Sequence, residues 1–337
     1  MSQRHILLLG VATLIVMLLA LLLTGQRGAD SAAEGELLVP GLRAAVNDLA
    51  AVDLRAADGA LIVALRRGPR GWVVENHDAY EADFRRVHDF LRELATARRA
   101  EARTALPEWH GRLGLADLGS PEASGVLVEF PGSDLAAVIL GNHDSVTGTR
   151  FARLQNDQRT WLTDRPLVVA EQSVDWLERS VMDIPAGELA EVTIEHADGD
   201  RVRLRPADES GDQWVLLDVP DGREAGPRWE IRPVANGLAN IVLDGVRLHV
   251  GTVPEDAVRS TYVTRDGLVF VVQLFTDAYG NWAHFSVSTE PDAADEQHLI
   301  DAAAVDARLS PWQFALSQRK FEVMTQRQES LLAPPPS

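Results

Sequence analysis

The sequence contains no cysteine in its 337 residues. Without cysteine the chain cannot form a disulfide, cannot bind a metal through thiolates and cannot carry a lipid on a lipobox cysteine. A protein of this composition needs no redox handling, which suits the bacterial cell envelope.

Basic charge is also in short supply. The 32 arginine and lysine residues face 50 acidic residues, and the formal net charge is -18. This charge opposes general binding to nucleic acid or to anionic lipid headgroups, so we predict no nucleic-acid partner. The one basic cluster, from Arg85 to Arg103, is interleaved with acidic residues, which predicts a solvated helix face with pairs of opposite charge.

Motifs of the common enzyme classes are missing as well. The sequence has no Gly-x-Ser-x-Gly element, no Walker loop and no Gly-x-Gly-x-x-Gly fingerprint, so serine-based acyl transfer and nucleotide binding lack their usual residues. The nine histidines never form His-x-x-x-His or another close pair, so a zinc site would have to assemble from distant parts of the chain. We therefore predict no catalytic residue and no cofactor.

One compact polar group, Asn142-His143-Asp144 after Leu140-Gly141, is similar to the Gly-Asn-His-Asp/Glu motif of metallophosphoesterases. In that family Asn and His ligate a two-metal centre, but its upstream Asp-x-His and its Gly-Asp-x-x-Asp do not occur here. The alternative function is thus a metal-dependent envelope hydrolase with Asn142, His143 and Asp144 as metal ligands. The pattern favours a turn at a strand end, where Gly and Asn supply positive φ.

The longest apolar run, Ile6–Leu23, has 18 residues. As a helix it would reach about 27 Å, close to the roughly 30 Å of a bilayer's hydrocarbon core. It predicts a transmembrane anchor over residues 1–24, with the apolar residues Ile6, Leu9, Leu14, Leu19 and Leu23. A cleaved signal peptide is the competing interpretation, although its apolar core is normally about 7–15 residues long. The predicted location is the bacterial inner membrane, single-pass, with the soluble region in the periplasm.

An internal repeat follows. Val-Asp-Leu-Arg-Ala-Ala-Asp-Gly at 52–59 returns as Val-Thr-Ile-Glu-His-Ala-Asp-Gly at 192–199, and each copy continues into a short strand and a Trp-Val pair. Both the repeat and the chain length indicate two domains. The predicted segments are a linker at 25–41, a first repeat unit at 42–186, a second unit at 187–328 and a disordered tail at 329–337.

The apolar patterns predict the α+β class, with two related units of antiparallel sheet packed with helices. Asp-Gly and Pro-Gly pairs between alternating apolar runs predict hairpins. Phe84, Val87, Leu91 and Leu94 have helical spacing and predict an amphipathic helix over 82–102. The spacing of Val234, Leu238, Ile241 and Val242 predicts a matching helix in the second unit, and a last helical piece is predicted from Pro311 to about Gln326.

Tryptophans recur at comparable points of the two units. They could form platforms for sugars, but a duplication copies packing requirements first, so the pattern favours core positions. These are Trp72, Trp161, Trp176, Trp214, Trp282 and Trp312. Trp109 and Trp229 fall outside the repeat, and we expect them to be partly exposed.

Several short stretches together resemble the domain of unknown function 4340 family, over most of residues 45–325. They are Gly71-Trp72-Val73-Val74, the helix with Asp83 and Leu91 to Leu94, Leu140-Gly141, Thr149-Arg150-Phe151-Ala152-Arg153 and Trp161-Leu162. The resemblance implies an envelope-facing accessory subunit whose partners are an ABC permease and a large gliding-auxiliary-like membrane protein. The family offers no catalytic residues to carry over.

The leading hypothesis is therefore a non-catalytic, membrane-anchored accessory protein whose duplicated periplasmic region binds partner proteins of an ABC-type transport or gliding-auxiliary-like complex. The metal-dependent hydrolase is one alternative. A module that binds glycan or lipid in a groove between the repeated units is the other.

Overall fold

The computed structural model of the chain describes residues 14, 15, 17, 33–208, 211, 213–290 and 296–334. These residues belong to two compact units, and the chain passes from unit 1 to unit 2 between Leu177 and Glu178. The sequence predicts this change of unit between residues 186 and 187.

Unit 1 is built on one antiparallel sheet of nine strands. The strands are β1 Ala51–Arg55, β2 Leu61–Gly68, β3 Gly71–Val74, β4 Tyr80–Glu81, β5 Arg99–Ala102, β6 Val126–Glu129, β7 Val138–His143, β8 Arg150–Leu154 and β9 Trp161–Thr163. Two α-helices accompany them, the single turn α1 Leu42–Ala45 and the longer α2 Phe84–Thr96.

Unit 2 also contains one antiparallel sheet of nine strands. They are β10 Ser180–Met182, β11 Leu189–Glu195, β12 Arg201–Pro206, β13 Trp214–Leu216, β14 Ile241–Leu248, β15 Val258–Thr264, β16 Leu268–Asp277, β17 Gly280–Thr289 and β18 Trp312–Leu316. Its helices are α3 Arg228–Ala235, α4 Glu296–Leu309 and α5 Gln318–Met324. Near the end of the described chain Leu331 is buried and Leu332 forms a β-bridge with Ala225.

The predicted α+β class is wrong, because the described part of the chain is mostly sheet and carries few helices. Two segments predicted as helical are strands. Ile241 and Val242 begin β14, since α3 ends at Ala235 and Asn240 adopts a positive φ of 49°. Residues 312–316 form β18, which pairs with both β14 and β17, and such tertiary pairing overrides a weak local helical pattern.

Most of the predicted membrane anchor lies outside the described residues, including Ile6, Leu9, Leu19 and Leu23. Leu14 is described and is helical. None of the helices among the described residues combines the length and the apolar character that a membrane span requires.

The two sheets share one strand order. Unit 1 runs β3-β2-β1-β6-β7-β8-β9-β5, and unit 2 runs β13-β12-β11-β15-β16-β17-β18-β14, so eight strands of each sheet follow each other in the same way. In both units the helix that follows the first four strands, α2 or α3, precedes a strand at the far side of the sheet. The sequence repeat and the repeat in strand order therefore coincide.

The sheets differ at their edges. In unit 2, β10 adds a strand beyond β14. In unit 1 residues 35–38 run beside β5 at the corresponding edge, where the Gly35 N–H donates to the Arg99 carbonyl at 2.7 Å and the Leu38 N–H donates to the Ala97 carbonyl at 2.8 Å. At the opposite edge β4 extends the sheet of unit 1 beyond β3, whereas β13 is the last strand of unit 2.

The strands of the sequence repeat occupy like surroundings. Val52 and Leu54 of β1 are fully buried, as are Val192 and Ile194 of β11. Val52 lies opposite a leucine of β2, and Val192 lies opposite a leucine of β12. The first strand of each repeat copy, β1 or β11, is central in its sheet. It lies between the hairpin partner that follows it and a strand from later in its own unit.

The Asp-Gly turns of the repeat are alike as well. Gly59 and Gly199 have φ values of +87° and +91°, a conformation that glycine adopts without a steric cost. The Asp58 carboxylate accepts a hydrogen bond from the backbone N–H two residues on at 2.8 Å, and Asp198 does the same at 3.1 Å. The two copies thus fold through the same local chemistry.

Candidate binding groove in unit 1

A cavity of about 390 Å³ lies in unit 1 between the residues after α1, the β2–β3 hairpin and helix α2. Its apolar lining consists of Val46, Trp72, Phe84, Leu91 and Ala95. Its basic lining consists of the guanidinium groups of Arg43, Arg67 and Arg92, and His88 adds an imidazole ring. We refer to this cavity as the groove.

Helix α2 presents one face to the groove because of its residue spacing. Its N-terminus is capped by Asp83, whose carboxylate accepts a hydrogen bond from the backbone N–H of Arg86 at 3.1 Å. Phe84, His88 and Arg92 are four residues apart, so their side chains lie along one side of the helix. All three line the groove.

Phe84 was predicted as part of the apolar helical stripe, but its side chain is 68% exposed. It stacks on His88, with ring centroids 5.7 Å apart and an interplanar angle of 22°. An exposed aromatic ring at the mouth of a cavity is available for contact with a ligand.

Trp72 supplies the aromatic wall on the sheet side. It lies on β3 directly opposite Arg67 of β2, and the Arg67 guanidinium sits 5.0 Å from the centre of the indole ring. This distance allows a cation–π interaction. Arg67 is further held by a hydrogen bond from its Nε to the Leu49 carbonyl at 3.2 Å. The other N–H donors of its guanidinium group are therefore held in a fixed position.

The indole N–H of Trp72 has no hydrogen-bond acceptor among the described residues. Two other indoles are satisfied within the chain: Trp176 donates to the Ala170 carbonyl at 3.0 Å, and Trp214 donates to the Gly211 carbonyl at 3.1 Å. The Trp72 Nε1 is not among the buried side-chain atoms that lack a partner, so its N–H is accessible to solvent and can donate to a bound molecule.

The charge of the groove is opposite to that of the chain. No aspartate or glutamate lines it, and Arg92 forms an exposed ion pair with Asp89 at 3.1 Å, a kind of contact that contributes little. Three cavities in the described part of unit 2, of about 600, 370 and 730 Å³, each include carboxylates. The groove therefore concentrates positive charge in a chain whose net charge is -18.

Aromatic faces and guanidinium donors together bind an apolar side chain next to a carboxylate. The enclosed volume lies at the lower end of the range of small-ligand pockets, which is about 300–1,000 Å³. This arrangement can recognise an extended segment that is anionic and partly apolar.

Asn142 and His143 lie at the end of β7, and Asp144 follows it in a turn. Successive strand residues point to opposite faces of a sheet, and each of the three side chains has its own local partner. Asn142 donates to the Arg112 carbonyl at 3.4 Å, His143 Nδ1 lies 3.3 Å from the Gly148 carbonyl, and Asp144 accepts from the Thr147 hydroxyl at 2.8 Å.

The His143 and Asp144 contacts belong to the β7–β8 turn, whereas Asn142 bonds to the separate segment that contains Arg112. Two hydrogen bonds from Thr147, the side-chain one first, lower the pKa of the exposed Asp144 carboxyl. Within the described ranges no three histidine, aspartate or glutamate side chains lie where they could hold a metal ion together.

The Thr149 to Arg153 stretch carries two buried arginines on β8. Arg150 donates to the carbonyls of Gly141 at 2.8 Å and Leu167 at 2.7 Å, and burial lowers its pKa. Arg153 is 1% exposed and donates to the carbonyls of Leu115, Gln155 and Asp157 at 3.0, 3.0 and 3.1 Å, and also to the Asp117 carboxylate. This stretch therefore holds loops to the sheet through buried guanidinium groups.

The tryptophan predictions are largely confirmed. Five of the six repeated tryptophans are at most 9% exposed, and Trp312 is half-buried. Trp109 and Trp229 are 42% and 75% exposed, as expected.

The sequence did not reveal the groove, because its residues come from four separate stretches of unit 1. The basic stretch from Arg85 to Arg103 was assigned to a solvated helix face, which did not single out Arg92. The available signal was the four-residue spacing of Phe84, His88 and Arg92, which places an aromatic, an imidazole and a guanidinium on one helix face.

Comparison with known proteins gives one match. The model of a family described as Domain of unknown function (DUF4340) matches residues 72–247, just over half of the chain. The matched stretch begins at Trp72 on β3 of unit 1 and ends within β14 of unit 2. No curated protein and no solved structure matches the chain.

Proposed function

The chain belongs to the DUF4340 family, and from this premise we propose that it is a non-catalytic accessory protein that binds a partner protein through the groove of unit 1. One observation carries the proposal: the groove combines two aromatic side chains with three arginines and has no lining carboxylate. Cationic and aromatic side chains of this kind are typical anchors of protein interfaces.

The position of the groove supports a protein partner. Phe84 lies 68% exposed at its edge, so a bound segment would continue onto the outer surface of α2. Arg43 is in reach from the other side of the cavity. A segment that occupies the groove would therefore meet apolar side chains and guanidinium groups together, a combination that is common in interfaces.

The proposed partners are an ABC permease and a large gliding-auxiliary-like membrane protein, as the family resemblance implies. The proposed location is the periplasmic side of the bacterial inner membrane. This location has its basis in the apolar sequence Ile6–Leu23 alone. Protease added to spheroplasts should digest both units if they face the periplasm, and protection of both units would place them in the cytoplasm.

Affinity purification of the tagged full chain from mild detergent tests the proposal. Arg92→Glu reverses a charge in the groove, whereas Arg86→Glu makes the same change on the same helix outside the groove lining. The unchanged chain and Arg86→Glu should recover the same ABC transporter component. Arg92→Glu should lower that recovery about tenfold, because it places a like charge against an acidic partner.

Two results would contradict this function. The unchanged chain could recover no transporter component, or Arg92→Glu and Arg86→Glu could recover it equally. The first result would remove the proposed complex, and the second would remove the groove from it.

A further inference from the structure

The chemistry of the groove points to the kind of segment that it holds. We infer that this segment is a short acidic stretch of the partner protein with an aromatic or large aliphatic side chain among its carboxylates. The inference rests on the proposed function, since it names what a partner must present to the groove.

The guanidinium groups of the groove define the charge of the segment. Among the described residues no carboxylate lies within ion-pair distance of Arg43 or Arg67. In unit 1, nine of the 16 described arginines have a carboxylate partner. Two guanidiniums without such a partner in one concave site bind an anion without first breaking an ion pair. Arginine binds carboxylates with two parallel hydrogen bonds, which gives direction as well as charge.

The aromatic groups define the rest of the segment. Trp72 lines the groove and retains an indole N–H without an acceptor among the described residues, and Phe84 is largely exposed beside it. A single large apolar side chain between these rings would bury aromatic surface, and a backbone carbonyl or carboxylate next to it could accept from the indole. A purely charged ligand would leave both rings unused.

The charge of the whole chain decides between classes of polyanion. A net charge of -18 repels an extended anionic surface such as a nucleic acid or an anionic bilayer, because many of its charges would face acidic residues outside the groove. A peptide segment that confines its carboxylates to a cavity of about 390 Å³ avoids this repulsion. The observations therefore favour a protein segment.

Three short peptides can serve as probes. The first, acetyl-Asp-Glu-Phe-Asp-Glu-Leu-amide, has both required features. In the second, acetyl-Asn-Gln-Phe-Asn-Gln-Leu-amide, every charge is removed, and in the third, acetyl-Asp-Glu-Ala-Asp-Glu-Ala-amide, the apolar side chains are removed. Binding to the full chain in detergent is followed by fluorescence anisotropy of labelled peptides and by ¹H–¹⁵N spectra of the tryptophan indoles, in which a Trp72→Phe variant assigns the Trp72 signal.

The first peptide should bind with a Kd below about 1 mM and should move the Trp72 indole signal. The other two peptides, and the first peptide against Arg92→Glu, should bind at least about tenfold more weakly. Binding of the first peptide to Arg86→Glu should change by less than about twofold, and Phe84→Ala, a change at an exposed side chain, should weaken it.

Several results would overturn the inference: no binding of the first peptide below about 1 mM, equal binding of the uncharged peptide, or a Trp72 signal that stays in place. These outcomes are separable from failure of the proposed function. If Arg92→Glu abolishes recovery of the transporter component while the peptides do not discriminate by charge, the groove binds a partner of different chemistry. If recovery is unaffected, the proposed function fails first.

Discussion

Units 1 and 2 share most of their strand order but differ at a tryptophan near the start of the corresponding strands β3 and β13. Trp72 of β3 lies opposite Arg67, whereas Trp214 of β13 lies opposite Pro206. Trp214 donates its indole N–H to the Gly211 carbonyl in the connection before it. The same scaffold position is thus open and cationic in unit 1 and internally satisfied in unit 2.

The turns that precede these tryptophans account for the difference. In unit 1 only residues 69 and 70 separate β2 from β3. In unit 2 the connection covers residues 207–213 and includes Gly211, which packs so closely against Gly187 that an added Cβ would meet the Gly187 Cα at 3.0 Å. Gly211 in the longer connection supplies the acceptor for the Trp214 indole, and the two-residue turn of unit 1 contains no equivalent residue.

The largest expected effect concerns two corresponding strands, β8 of unit 1 and β17 of unit 2, at which the two units should differ in stability. Ala152 of β8 and Ala283 of β17 hold corresponding register positions, so Arg153 and His284 correspond. Arg153→Met should destabilise unit 1 by about 3 kcal/mol or more, because it leaves several buried acceptors without a donor. His284→Met removes one hydrogen bond, to the Ser310 carbonyl, and should cost unit 2 less.

Hydrogen–deuterium exchange measures the two units separately within one chain. Arg86→Met, an exposed change in unit 1, should leave exchange within about 0.5 kcal/mol of the unchanged chain. Equal losses for Arg153→Met and His284→Met would mean that Arg153 does not hold the loops of unit 1.

The next largest effect on stability is expected from substitution of the two corresponding tryptophans, Trp72 and Trp214. Trp214→Phe removes buried surface and the donor to Gly211, so it should cost about 2 kcal/mol. Trp72→Phe removes a donor that has no described acceptor, so it should cost about 1 kcal/mol or less. Urea denaturation of both variants gives the difference, and a larger loss for Trp72→Phe would show that its indole is already satisfied within the protein.

Acidification gives a smaller effect in each unit. Burial lowers the pKa of His110 in unit 1, and burial together with the neighbouring His284 lowers the pKa of His249 in unit 2. Both imidazoles are therefore neutral in the folded state over a range in which the unfolded chain binds protons. The stability that they contribute is complete above the unfolded value of about 6.5 and is lost as the pH falls below it.

Thermal melting at several pH values between about 8 and 5 checks this expectation. His249→Gln should flatten the acid side of the unit 2 curve, because it removes the imidazole whose pKa burial lowers. A stability that rises on acidification over this range would contradict the assigned direction.

The smallest effect on stability is expected at the repeated Asp-Gly turns, where the two units have the same local structure. Asp58→Ala and Asp198→Ala each remove the carboxylate that accepts a backbone N–H in the repeated turn. Each should lower the stability of its own unit slightly, and the Asp198 change also removes an exposed ion pair with Arg327 at 2.8 Å, a kind of contact that contributes little. Losses that differ by more than the error of the urea measurement would separate the two turns despite their like geometry.

The sequence was informative where local chemistry decides the structure. The repeated Asp-Gly turns and the hairpins follow from residue types with a fixed conformational preference. The strand character of residues 241–248 and 312–316 was missed, because short apolar runs fit a helix and a strand equally well until their neighbours are known. Pairing with sheet strands from elsewhere in unit 2 decided both segments.

The groove could not be predicted from the sequence, for a related reason. Arg43, Arg67, Trp72 and Arg92 are brought together by the path of the sheet and of α2, and nothing local to any one of them requires that they meet. The amino-acid composition contributes to the interpretation of the groove. Because the chain has an excess of acidic residues, a cavity without a lining carboxylate is informative.

The most direct measurement is hydrogen–deuterium exchange of the full chain alone and in its purified complex with the recovered transporter component. Binding through the groove predicts slower exchange in residues 61–74 and 84–96 of unit 1, with the corresponding residues 201–208, 213–216 and 228–235 of unit 2 unchanged. Protection of the unit 2 segments with no change around Trp72 and Arg92 would contradict the account.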